Sequence, residues 1–135
     1  MAGTFSLRIV SPEGDILKED VEFVVLPGGL GELGILPNHA PLIAGMEVGV
    51  IRYTLNGTVK RMAVTGGFVE VIENSAIVLA DTAVRSEEID VTRAVEARER
   101  AKKRLAARTN EIDVRRAELA LRRALARIEA TEGRK

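Results

Sequence analysis

Residues 51–64 read IRYTLNGTVKRMAV. Two strand-like runs flank Asn56-Gly57. Asn-Gly is the strongest short hairpin signal, because both central residues of the turn must accept positive φ. Working outward, Phe5, Leu7 and Ile9 alternate with polar residues, which is the period of a half-buried strand. SPEGD then reads as a turn and VEFVVL as a second strand. On the other side, VTGGFVEVIENSAIVLAD continues the strand pattern. Gly66-Gly67 reads as punctuation there, and Glu73-Asn74-Ser75 as the next turn. Short strands with close-spaced turns predict an antiparallel β-sandwich or flattened barrel.

Between these runs lies LPGGLGELGILPNHAPLIAGMEVG. Gly29, Gly31 and Gly34 fit the spacing of a dinucleotide fingerprint, but that motif must open a helix. Pro37 and Pro41 follow at once, so no long helix can start there. No Gly-Lys-Ser/Thr phosphate loop occurs either. The stretch reads as a loop that needs glycine to turn between strands, and such loops often carry partner contacts. Glu32 and His39 are its polar tips. His39 is the only histidine, which leaves no typical zinc site and no legible Ser/His/Asp arrangement.

Past residue 85 the composition changes. All four prolines and every glycine but Gly133 precede residue 68. Residues 1–85 hold six basic and ten acidic side chains, a net −4, whereas residues 86–135 hold fourteen and ten, a net +4. A β-sandwich over 1–85 and a helical hairpin over 86–135 follow, with a boundary near 82–89. From Asp90 to about Ala107 the sequence is made of strong helix formers. Arg108-Thr109-Asn110 breaks it, with Asn suited to a left-handed stop. A second helix runs from Asp113 to about Ala130, and the short link makes the two antiparallel neighbours.

Both helices open on nearly the same phrase, EIDVTRA at 88–94 and EIDVRRA at 111–117. Asp90 and Asp113 stand where an N-cap belongs. Ile89 and Ile112 precede them at the staple position, with Ala94 and Ala117 as partners one turn on. Capping does not explain the arginines. Arg93, Arg100 and Arg104 share one helix face, and Arg116, Arg123 and Arg127 repeat the spacing on the other helix. Two such stripes repel unless something anionic lies near them. The seam offered by Ala94, Ala97, Ala101 and Leu105 against Ala117, Ala120 or Leu121, Ala124 and Ile128 buries little. Isolated helices of this length are marginal in water, so the hairpin needs something to fold against and is suited to move. No aromatic follows Phe68, which argues against nucleic acid. A nucleoside triphosphate held by bidentate guanidinium contacts fits better, and an acidic protein surface is the other candidate.

The 135 residues contain no cysteine, so disulfides, thiol nucleophiles and Cys-ligated zinc are excluded. No signal-like start and no apolar run of membrane-spanning length is present, so a soluble protein is expected, attached to any membrane through other proteins. No nucleophile, metal set or phosphate loop supports an enzyme.

GELGILPNHAPLIAGMEVG, VTGGFVEVIENSAIVLAD and the tail over 89–128 together resemble the epsilon subunits of bacterial F-type ATP synthases, most closely those of thermophilic bacilli. The resemblance implies a non-catalytic rotor subunit, peripheral at the cytoplasmic face of the membrane, that couples ion flow to ATP synthesis. It implies binding to the gamma subunit and the c-subunit ring, with Glu32 matching an acidic residue that faces the ring and His39 a loop histidine. It also implies a hairpin that either folds on the sandwich or extends into the alpha/beta hexamer and inhibits hydrolysis. ATP is then a regulatory ligand, not a substrate or prosthetic group. Its motif falls on Ile89, Asp90, Arg93 and Ala94, with Arg100, Arg123 and Arg127 as further contacts. Where ATP-binding relatives can carry an acid, this chain has Val84. A basic hairpin acting as a non-motor adaptor for an acidic protein is the alternative.

Overall fold

A computed structural model describes residues 3–107 and 110–132, with backbone alone at 111 and 112. Eight strands precede two helices. They are β1 (Phe5–Ser11), β2 (Gly14–Val21), β3 (Phe23–Gly28), β4 (Gly31–Ile35), β5 (Leu42–Leu55), β6 (Thr58–Ile72), β7 (Ser75–Ala80) and β8 (Ala83–Arg85). A single 3-10 turn, Ser86–Glu88, leads into α1 (Val91–Ala107), and α2 (Glu111–Ala130) follows.

The Asn-Gly reading holds at atomic detail. Leu55 pairs with Thr58, leaving Asn56 at φ 51° and Gly57 at φ 78° as the two-residue turn. Glu73 and Asn74 make the same kind of turn between Ile72 and Ser75, at φ 49° and 58°. The strands follow the order β2-β1-β7-β6-β5-β3-β4, with β8 on β6. The sheet folds on itself as a β-sandwich around Leu7, Ile9, Val24, Ile51, Met62, Val64 and Val78, all fully buried.

Three expectations change. First, β1 and β7 run parallel, in an otherwise antiparallel sheet. Their separation in sequence frees them from the hairpin constraint that forces neighbours to be antiparallel. Second, Gly66-Gly67 does not end a strand. β6 runs through it from Thr58 to Ile72 and changes neighbour there, from β8 at 62–64 to β7 at 67–72. Third, the glycine-rich stretch is not one loop. Gly31–Ile35 is a strand hydrogen-bonded to β3, and pairing with β3 supplies the order that its glycines lack.

In the hairpin, α1 rests on α2, and α2 rests on β5 and β6. The alanine seam forms as expected, with Ala94, Ala101, Ala117 and Ala124 buried. A second stripe on α2 was not foreseen. Ala126 and Ala130 pack with Val50, Ala63 and Ile89 and so dock the hairpin on the sheet. An ion pair from Arg122 to Glu47 at 2.8 Å and a hydrogen bond from Arg61 Nη1 to the Glu132 carbonyl at 2.9 Å add to this contact.

The helix starts differ from each other. Asp90 caps α1, its Oδ1 accepting from the Arg93 amide at 3.1 Å, and Ile89 is buried beneath it. At α2 the cap is Asn110 and not Asp113. Asn110 Oδ1 accepts from the Asp113 amide at 2.9 Å, and its Nδ2 donates to Asp113 Oδ2 at 2.9 Å. Asn110 is extended, at φ −160°, and not left-handed. An Asn caps as well as an Asp, and capping from 110 gains almost a turn of helix. The expected staple residue Ile112 lies outside the described side chains, and Ala117 serves the seam. Asn110→Ala is expected to cost the hairpin about 1 kcal/mol, measured as lost amide protection in α2. Asp113→Ala is expected to cost less, because it leaves the cap acceptor in place.

Candidate functional site

Where the strands hand over to α1, the chain leaves a cavity of about 390 Å³. Its wall is Val84, Glu88, Ile89, Asp90, Arg93, Ala94, Ala97, Arg100 and Arg127. Local structure explains the gathering. The cap at Asp90 fixes the start of α1, and seven residues of helix then set Arg93 and Arg100 about 10 Å apart along one face. The antiparallel return of α2 brings Arg127, near its C-terminal end, to the N-terminal half of α1. Alanines at 94 and 97 keep the floor low.

Among the described residues, the guanidinium groups of Arg93, Arg100 and Arg127 make no ion pair or hydrogen bond. Four other arginines pair with a carboxylate: Arg8 with Asp15, Arg52 with Glu32, Arg98 with Glu99 and Arg122 with Glu47, whereas Arg104, Arg116 and Arg123 make no ion pair among the described residues. Three guanidiniums around one concave space offer forked N–H donors, a chemistry that suits a multiply charged oxyanion.

Six of the seven residues expected at a nucleotide site, Ile89, Asp90, Arg93, Ala94, Arg100 and Arg127, share this wall. Arg123 does not line it; it is half-buried on α2, one turn before Arg127. The arginine stripes are also not continuous. Arg104 and Arg116 face a separate cavity of about 430 Å³ at the hairpin tip, together with Asp113. Glu88 and Ala97 belong to the wall and were not anticipated. Glu88 opens the phrase EIDVTRA, but helix capping gives it no role there, and its position follows from the 3-10 turn before the cap.

Glu32 and His39 stand on other elements. Glu32 is on β4 and accepts from Arg52 Nη1 at 2.7 Å; the hydrogen bond from that guanidinium holds its carboxyl below the usual range. It is therefore a strand residue beside a turn, not a loop tip. His39 lies in the link between β4 and β5, where its Nδ1 sits 2.7 Å from the Ala40 carbonyl. Asn38, at φ 63°, pins that link to the β6–β7 turn through its amide and Asn74 Oδ1, 2.8 Å away. Among the described residues, no three His, Cys, Asp or Glu side chains cluster as a metal site, and no helix is long and apolar enough to cross a membrane.

Comparison with known proteins agrees with this architecture. Residues 4–86 match the model of the ATP synthase delta/epsilon chain β-sandwich domain, and residues 87–132 match that of its long α-helix domain. An ATP synthase epsilon chain from Desulfitobacterium hafniense strain Y51 is 66% identical over 105 residues, 78% of this chain and 80% of that one. The epsilon chain of Carboxydothermus hydrogenoformans is 55% identical over 106 residues, 78% and 79% of the two chains. A chain in the Euglena gracilis mitochondrial ATP synthase (OSCP/F1/c-ring) has the same fold, with a TM-score of 0.84 at 23% identity, over 96% of this chain and 82% of that one. With both halves matched in order, the chain belongs to the ATP synthase delta/epsilon family and is an epsilon subunit of the bacterial F-type.

Proposed function

We propose that this chain is a central-stalk subunit whose hairpin senses ATP and restrains ATP hydrolysis. The observation that carries the reading is the unpaired cluster of Arg93, Arg100 and Arg127 at the joint between hairpin and sandwich. Val84 comes from β8, Ile89 from the end of the 3-10 turn, Arg93 and Arg100 from α1, and Arg127 from α2. A triphosphate that contacts all three elements binds the folded hairpin and not one swung away from the sheet. It shifts the equilibrium by its difference in affinity for the two states. At a concentration about 100 times Kd, that bias is about 2.7 kcal/mol.

The interface it acts on is of matching strength. Ala126 and Ala130 against Val50 and Ala63, one exposed ion pair and the hydrogen bond from Arg61 to the Glu132 carbonyl hold the hairpin to the sheet, and an exposed pair contributes about 0–1 kcal/mol. With the hairpin released, its basic face is free to meet an acidic surface of the alpha/beta hexamer. The sandwich holds the subunit on the gamma subunit and the c-subunit ring, with Glu32 and His39 on its partner side. ATP here is a ligand and not a substrate, and the Ile89, Asp90, Arg93, Ala94, Arg100 and Arg127 wall is its site, with Arg123 off the wall one turn from Arg127.

Calorimetry on the full chain tests the ligand. Saturable ATP binding is expected, and no binding at millimolar ATP overturns the switch. Removing residues 86–135 in the assembled synthase is expected to leave assembly intact and raise ATP hydrolysis; unchanged hydrolysis overturns the restraint. Co-purification with gamma and the hexamer separates this reading from a non-motor adaptor.

A further inference from the structure

The hairpin lies on one face of the sheet, and two arginines share that face. Side chains two apart on a strand point the same way. Val50 on β5 and Ala63 on β6 pack with Ala126 and Ala130 of α2. Arg52 follows Val50 by two, Arg61 precedes Ala63 by two, and the two arginines stand opposite each other in the β5–β6 ladder. Arg61 is committed: its Nη1 donates to the Glu132 carbonyl at 2.9 Å, just past the end of α2. Arg52 has two carboxylates competing for it.

The first is Glu32. Arg52 pairs with Val25 on β3, and Glu32 on β4 pairs with Pro27 on the other edge of that strand. The guanidinium therefore reaches across β3, about 10 Å or two strand spacings, and donates from Nη1 to Glu32 Oε2 at 2.7 Å. Glu32 is exposed, so a partner can reach it. The second is Glu129, on α2 next to the docking residue Ala130. The hydrogen bond to Glu32 holds the Arg52 guanidinium above its usual range against partial burial, and the negative charges of Glu32 and Glu129 add to this. Among the described residues the Glu129 carboxylate makes no ion pair or hydrogen bond of its own. One guanidinium carries one positive charge, so the share that Glu32 neutralises is not available to Glu129.

Resting on the movable hairpin and the partner-facing Glu32 proposed above, we infer that Arg52 is a shared cation that couples the Glu32 surface to the docking of the hairpin. A cationic group of a partner that engages Glu32 releases Arg52 toward Glu129 and tightens α2 on the sheet. The coupling is reciprocal. With α2 docked, Glu129 draws on Arg52 and leaves Glu32 freer to meet the partner. With α2 swung away, Arg52 reverts to Glu32 alone and masks its charge. The cavity at the joint takes no part, because Arg52, Glu32 and Glu129 are not on its wall.

Amide hydrogen exchange at residues 121–130, on the full chain without nucleotide, reads the docking of α2 directly. Glu32→Gln stands in for an engaged Glu32 and is expected to slow exchange there about two- to fivefold, the scale of an exposed ion pair. Glu129→Gln is expected to quicken it about twofold. In the Glu129→Gln background, Glu32→Gln is expected to change nothing, because the second carboxylate is gone. Arg52→Met keeps the aliphatic stem and is expected to abolish both effects. Glu70→Gln is the control: Glu70 is an exposed acid opposite Ile43, near the far end of the β5–β6 ladder from Arg52. It is expected to leave exchange unchanged. Unaltered exchange in Glu32→Gln, slowing that persists in the Glu129→Gln background, or equal slowing by Glu70→Gln overturns the coupling. Exchange at 121–130 that proceeds only with unfolding of the β6 core overturns the movable hairpin itself, and this inference with it.

Discussion

Gly67→Ala is expected to destabilise the sandwich by more than about 3 kcal/mol, enough to unfold most small domains or leave them marginal. Two costs add at this position. Gly67 holds φ 133°, a conformation that L side chains rarely adopt, and such strain costs about 1–3 kcal/mol. A Cβ there would also collide with the Leu79 carbonyl oxygen and come within 3.0 Å of Ala80 Cα. Those are backbone atoms of β7, paired to β6 at this point, so they cannot give way without breaking the ladder. Gly57→Ala is the comparison. Gly57 has φ 78° with nothing near its missing Cβ, so it bears only the conformational cost of about 1 kcal/mol. Urea denaturation followed by far-UV circular dichroism separates the two. Similar midpoints for both variants would remove the close approach of β6 and β7 as a constraint.

The second large effect is on ligand affinity. Arg93→Ala and Arg127→Ala are each expected to weaken ATP binding by more than about tenfold, since a charge-assisted hydrogen bond contributes about 1.5–3 kcal/mol. Arg98→Ala removes the same charge from the same helix, but Arg98 is paired with Glu99 at 3.0 Å and is not on the wall. It is expected to change affinity less than twofold, within the scatter of an exposed pair. Arg123→Ala separates two models. If the stripe read along α2 were the binding element, Arg123 and Arg127 would matter equally. With the cavity as the element, Arg123 matters less, because it lies off the wall. Calorimetry on the four variants decides, and equal losses at 98, 93 and 127 would reduce the site to bulk charge.

Much of the fold was legible because its signals are local. Asn56-Gly57 and Glu73-Asn74 each complete a two-residue turn, since a turn is decided by the φ its own residues accept. Asp90 was legible as a cap for the same reason. Local signals also misled. Asp113 and Asn110 both have cap chemistry three positions apart, and pattern alone could not choose between them; the extended conformation at Asn110 did. Gly31 and Gly34 looked like loop residues because glycine has weak strand preference, yet β3 pairs with them.

For the candidate site, the sequence by itself determined which arginines share a face and where α1 begins. Helical period and cap spacing suffice for that, because both are set within a few residues. Only the tertiary structure decided which arginines meet. Arg127 joins Arg93 and Arg100 while Arg104 and Arg116 face a separate cavity, because the antiparallel crossing of α1 and α2 fixes the level at which side chains oppose. The docking stripe of Ala126 and Ala130, the place of Glu88 on the wall and the parallel pairing of β1 with β7 belong to the same class. Each depends on contacts between residues far apart in the chain, and periodicity within a segment reports which face is apolar but not what that face will meet.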